Sequence, residues 1–139
     1  MNHTWLMGGL LVLTCHLPAA GQVQQAPAAG MAVNQPAALS ATAFMAAAES
    51  GRYQLVDVRT PAEHAAGHLA GSTLIDWTSP DYEQAFARLD AKRPVLLYCH
   101  SGGRSEQALE HLAQRGYQVQ HLDGGIVAWR KAGFPVVKD

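Results

Sequence analysis

Apolar and polar positions follow two different periods along this chain, and the switches between them outline a series of short strands and helices. YQLVDVR (Tyr53 to Arg59) is β-branched and largely apolar before it turns polar, the pattern of a buried strand. PVLLYC (Pro94 to Cys99) is an unbroken apolar run, expected of a strand covered on both faces, and it ends at a cysteine. Shorter strands are predicted around Ser72 to Asp76 and over Tyr117 to Leu122. Between them the period becomes helical. A helix is expected near Ser40 to Ser50, docking through Phe44 and Met45 and stopped by Gly51. Asp81 to Leu89 places Tyr82, Ala85, Phe86 and Leu89 on one face, and Arg104 to Arg115 repeats Ala108, Leu109, Leu112 and Ala113 before Gly116. Gly124 and Gly125 open a last helix through Ala132, which Gly133-Phe134-Pro135 ends. Strands alternating with helices predict the doubly wound α/β class, a parallel sheet with helices on both faces.

The N-terminal pattern has a different character. Trp5 to Leu17 (WLMGGLLVLTCHL) is an apolar run too short to span a bilayer and suited to the core of a secretory signal. Ala19-Ala20-Gly21 offers a small-residue cleavage site, so a signal peptide is expected over residues 1–21, with export to the periplasm. No Lys or Arg precedes Arg52, which leaves an uncleaved membrane anchor as the rival reading; Thr14 disfavours lipidation at Cys15. Residues 22–38 are uncharged and rich in Ala, Gln and Pro, as a linker would be, and place a single domain over 39–139.

The composition narrows the function. A 139-residue chain that is 48% hydrophobic has material for one real core. Its 10 basic and 11 acidic residues nearly cancel, so no global field draws it to nucleic acid or, once processed, to a membrane. Any anion site must be local. Cys15 and Cys99 lie in segments too unlike to suggest a disulfide, and after cleavage Cys99 is the sole cysteine. His64 and His68 stand four apart beside Glu63, but Gly67 intervenes and no third ligand is evident, so structural hydrogen bonding is expected and no metal. Trp129 is read as core, and Gly124-Gly125, lacking a lysine, as a tight turn rather than a phosphate loop.

Ligands of parallel α/β sheets bind beyond the carboxyl ends of the strands, where Cys99 falls. The two glycines in His100-Ser101-Gly102-Gly103 allow backbone N–H groups to turn inward as an anion-binding nest, and a helix starts near Arg104. Those amides, the helix terminus and the Arg104 guanidinium would all favour a thiolate at Cys99. The bland alternative is a buried structural cysteine followed by an ordinary glycine turn.

Three separated segments resemble one family. Leu55 to Ser72 (LVDVRTPAEHAAGHLAGS), Cys99 to Ser105 (CHSGGRS) and Leu122 to Val136 (LDGGIVAWRKAGFPV) are similar to the two signatures and the active loop of single-domain rhodaneses, over roughly Ala38 to Val137. The resemblance implies a parallel sheet of about five strands with Cys99 as the catalytic residue beside Arg104. It also implies that His100, Ser101, Gly102, Gly103, Arg104 and Ser105 bind the sulfur donor, and that Asp57 and Arg59 buttress this loop. His100 departs from the arginine frequent beside the cysteine, and Ser72 from a common alanine.

The expected reaction is ping-pong: Cys99 takes the sulfane sulfur of thiosulfate or a related donor and yields it to a thiol or cyanide. Two rivals remain. Cysteine phosphatases resemble C-x-x-x-x-x-R, whereas only four residues separate Cys99 from Arg104, and reductases of the arsenate type commonly need a resolving thiol that the processed chain would lack. The other is a non-enzymatic rhodanese-like module that carries sulfur or binds a partner; partner-binding modules often lack the cysteine or the arginine, and both are present here.

Overall fold

A computed structural model describes residues 37–139. The expected signal peptide and nearly all of the expected linker lie outside the described residues. Five parallel strands, β1 (Ala38–Leu39), β2 (Gln54–Asp57), β3 (Thr73–Leu74), β4 (Val95–Tyr98) and β5 (Val119–Leu122), form one sheet in the order β1-β5-β4-β2-β3. The fully buried β4 sits at the centre, as its unbroken apolar run demands.

Five helices follow, α1 (Ala41–Glu49), α2 (Pro61–Ala66), α3 (Tyr82–Phe86), α4 (Gly103–Gln114) and α5 (Gly125–Lys131). The period-two alternation of β4 divides the core between two faces. Val95, Leu97 and Cys99 pack with Phe86 of α3 and with Ala108 and Leu112 of α4. Leu96 and Tyr98 pack with Phe44 of α1 and with Ile126 and Trp129 of α5. The α/β fold with helices on both faces is therefore in place, and Trp129 is core.

Two elements escape the sequence pattern. Strand β1 takes in Ala38, the last residue of the expected linker, because Ala37 and Leu39 accept hydrogen bonds from His121 and Asp123. Helix α2 buries no side chain and so shows no apolar face; its signal is the capping box of Thr60 and Glu63 with Pro61 at the first turn. Helix α3 stops short of Leu89 because Arg88 and Leu89 bond back three residues, to Ala85 and Phe86, which tightens the end. Among the described residues no helix is long and apolar enough to cross a membrane.

Candidate active site

Cys99 follows directly on β4 and is 1% exposed. The chain then reverses through Gly102, whose φ of 111° is a conformation few side chains tolerate, and enters α4. This turn aims the Gly102 N–H at Cys99 Sγ, 3.0 Å away, while the Ser105 hydroxyl lies 3.5 Å from the same sulfur. Burial alone pushes the Cys99 thiol up. The Ser105 hydroxyl and the backbone N–H groups of Ser105, Gly102 and Ser101 more than offset it, and the thiol sits below its ordinary range. His100 and Ser101 are exposed at the loop tip, as is Gly103 at the first position of α4, whereas Gly102 and Ser105 are buried.

The loop is pinned from behind by the start of α5. Ile126 and Val127 donate their N–H groups to the carbonyls of Cys99 and His100, at 2.9 and 3.2 Å. The approach is close enough that a Cβ on Gly125 would sit 2.4 Å from the His100 carbonyl oxygen. Gly124-Gly125 is thus a tight turn that holds the loop after Cys99.

Arg104 is engaged elsewhere than at the sulfur. Its Nη1 and Nη2 donate to the two carboxylate oxygens of Glu63 at 2.8 and 2.7 Å, so its charge is largely matched within the protein. The hydrogen bonds from Arg104 hold Glu63 down to about 2. In the sequence Glu63 stands out only beside His64 and His68 and as the third residue after Thr60 in a capping box; its pairing with Arg104 comes from the fold.

Asp57 and Arg59 brace the loop less directly than the family resemblance implies. Arg59 donates to Asp57 through Nε and Nη2, at 2.9 and 2.7 Å, and to the Gly67 carbonyl at 2.8 Å. Tyr98 donates to Asp57 at 2.9 Å and lies under the Arg59 guanidinium. These bonds end on Tyr98 and the α2 segment rather than on residues 100–105, so the support reaches Cys99 through its neighbour in the chain. Burial raises the Tyr98 phenol, aided by the Asp57 charge, to about 12. Its oxygen also meets Ser72 at 3.0 Å, giving the hydroxyl that replaces the common alanine a partner.

The structure supplies the third polar group that the sequence did not offer His64 and His68. Their ligand atoms and those of Asp139 lie within 4.8 Å of one another. The two rings stack face to face at 3.8 Å and 12°, so their Nε2 lone pairs lie in near-parallel planes. Each Nδ1 donates to an acceptor, Asp57 for His64 and the His64 carbonyl for His68, a bracing role.

The profile of the rhodanese-like domain matches residues 40–132. A curated sulfurtransferase of Allochromatium vinosum is 40% identical over 84 residues, which cover 60% of this chain and 77% of that one. The thiosulfate sulfurtransferase GlpE of Pseudomonas paraeruginosa is 41% identical over 78 residues, 55% of this chain and 69% of its own. Two probable adenylyltransferase/sulfurtransferases MoeZ of Mycobacterium tuberculosis are matched over only 23% of their length, and a protein of Synechocystis over 46%. Among solved structures, a rhodanese-related protein of Thermoplasma volcanium superposes with a TM-score of 0.67 at 28% identity, covering 73% of this chain and 98% of the other.

Proposed function

Because this chain belongs to the rhodanese-like domain family, we propose that it is a sulfurtransferase that carries sulfane sulfur as a persulfide on Cys99. Thiosulfate or a related donor loads it, and a thiol or cyanide unloads it. The observation that carries this reading is the Gly102 N–H aimed at Cys99 Sγ from 3.0 Å, within a nest of amides at the end of a central strand. Such a nest holds sulfur as an anion before and after the transfer.

The thiolate attacks the outer sulfur of thiosulfate. A Cys99 sulfur–sulfur bond forms, the sulfur–sulfur bond of the donor breaks, and sulfite leaves with the electron pair. The acceptor's lone pair then attacks the outer sulfur of the persulfide, giving thiocyanate from cyanide or a new persulfide from an acceptor thiolate, and Cys99 returns as the thiolate. Charge is conserved in each step, so no proton need move. At 1% exposure, Cys99 suits a donor that presents a terminal sulfur. Arg104 guides the anionic donor, in competition with Glu63.

Thiocyanate production from thiosulfate and cyanide, compared between the wild type and Cys99→Ser, tests the reading. Turnover that the serine variant abolishes is expected. A folded wild type without turnover, whether from thiosulfate or from an organic persulfide, would favour a module that only binds a partner.

A further inference from the structure

Ser105 stands where three groups compete for one hydrogen. Its Oγ lies 3.5 Å from Cys99 Sγ, 2.9 Å from the Gly102 carbonyl oxygen and 3.0 Å from Nδ1 of His121. A hydroxyl has one hydrogen to give and two lone pairs to receive with. The carbonyl only accepts, and so does the thiolate. Were Nδ1 of His121 also to present a lone pair, Ser105 would face three acceptors and the ring would draw its hydrogen away from the sulfur. With the hydrogen on Nδ1, the ring donates into an Oγ lone pair and the hydroxyl hydrogen stays on the side of Cys99 and Gly102.

Burial makes this choice count, because Ser105 is 0% and His121 7% exposed and a mispaired group there is costly. We infer that His121 is a positioning residue for Cys99, donating from Nδ1 to Ser105 so that the serine hydroxyl is turned toward the thiolate. The inference rests on Cys99 acting as the reactive thiolate.

The fold holds the three groups in register. His121 lies on β5 opposite Leu97 of β4, two residues before Cys99, and Ser105 lies in the first turn of α4. Backbone bonding of His121 N–H to the Ala37 carbonyl, 2.8 Å, fixes β5 at this point. Burial holds the ring below the ordinary histidine range and outweighs the charges of Glu106 on α4 and Asp123 beyond β5, which favour its charged form. Near neutral pH the ring acts through its tautomer, not through a charge.

Alkylation of Cys99 by iodoacetamide across pH, followed in the full chain at the Cys99 peptide by mass, reads the thiolate midpoint directly. His121→Leu and Ser105→Ala should each raise that midpoint by on the order of half to one pH unit, and the double variant should raise it no further. His121→Asn places an N–H where Nδ1–H stood and should keep the wild-type midpoint. Should leucine fail to fold, His121→Gln, whose amide reaches toward the Nε2 position instead, takes its place. A wild-type midpoint in the folded leucine or glutamine variant overturns the inference. So do shifts that add in the double variant, or an asparagine variant that fails to restore the midpoint. Alkylation needs no sulfur donor, so failure here is distinct from failure to form a persulfide.

Discussion

Arg104 and Glu63, 41 residues apart in sequence, face each other in a two-pronged ion pair at 2.8 and 2.7 Å, with Arg104 in the first turn of the helix that follows the Cys99 loop. Glu63 also accepts from the N–H and hydroxyl of Thr60, so one carboxylate caps α2 and restrains the arginine. A sulfur donor that carries negative charge must compete with it.

Glu63→Gln keeps a capping oxygen and removes the charge. The apparent KM for thiosulfate should fall by roughly twofold to fivefold, the scale of a partly exposed ion pair, with a smaller effect on kcat. Steady-state kinetics at low salt check this; an unchanged or higher KM would mean that Glu63 serves the donor rather than opposing it.

The same pair sets an acid dependence of stability. The Glu63 carboxyl is lowered from 4.5 to about 2 in the folded protein, so its contribution is present above pH 4.5 and is lost as pH falls from there toward about 2. Urea denaturation across that window should show a flatter decline for Glu63→Gln than for the wild type.

His100 is exposed at the tip of the loop, where a permanent charge would meet the donor early. His100→Arg should lower the KM for thiosulfate, and the gain should shrink at high ionic strength because screening weakens exposed electrostatics. An unchanged KM at both salts would leave the loop amides and Arg104 as the anion site.

Much of this site was legible in the chain because its parts are local. The apolar run ending at Cys99, the glycine turn and Arg104 are contiguous, and local rules place a nest at a strand end. What the pattern did not show is what the sheet brings together from afar. Glu63 reaches Arg104 from a helix with no buried face, and His121 reaches Ser105 only because β5 pairs with β4. Strand β1 was hidden for a related reason: two residues in an alanine-rich stretch carry no period, and their place is set by partners on β5.

The Gly125 contact gives a stability prediction with an internal control. Gly125→Ala, at φ 60° and with its Cβ against the His100 carbonyl, should cost roughly 2 kcal/mol or more and disturb sulfur transfer. Gly133→Ala, at φ 83° with nothing within 4 Å, should cost about 1 kcal/mol and leave transfer intact. Equal effects of the two in thermal unfolding and turnover would show that the approach of α5 to the loop is unimportant.

Asp57→Asn should destabilise the domain by about 3 to 5 kcal/mol, since it leaves the Arg59 charge buried without its counter-ion. Chemical denaturation measures the loss; a change below 1 kcal/mol would mean that the pair behaves as an exposed one.

Sulfur transfer through this site stands or falls with the Cys99 persulfide, which the mass of the Cys99 peptide before and after thiosulfate reads out. A gain of one sulfur atom on Cys99 is expected, removed by cyanide and absent from Cys99→Ser. A folded wild type whose Cys99 peptide keeps its mass under excess thiosulfate would contradict it.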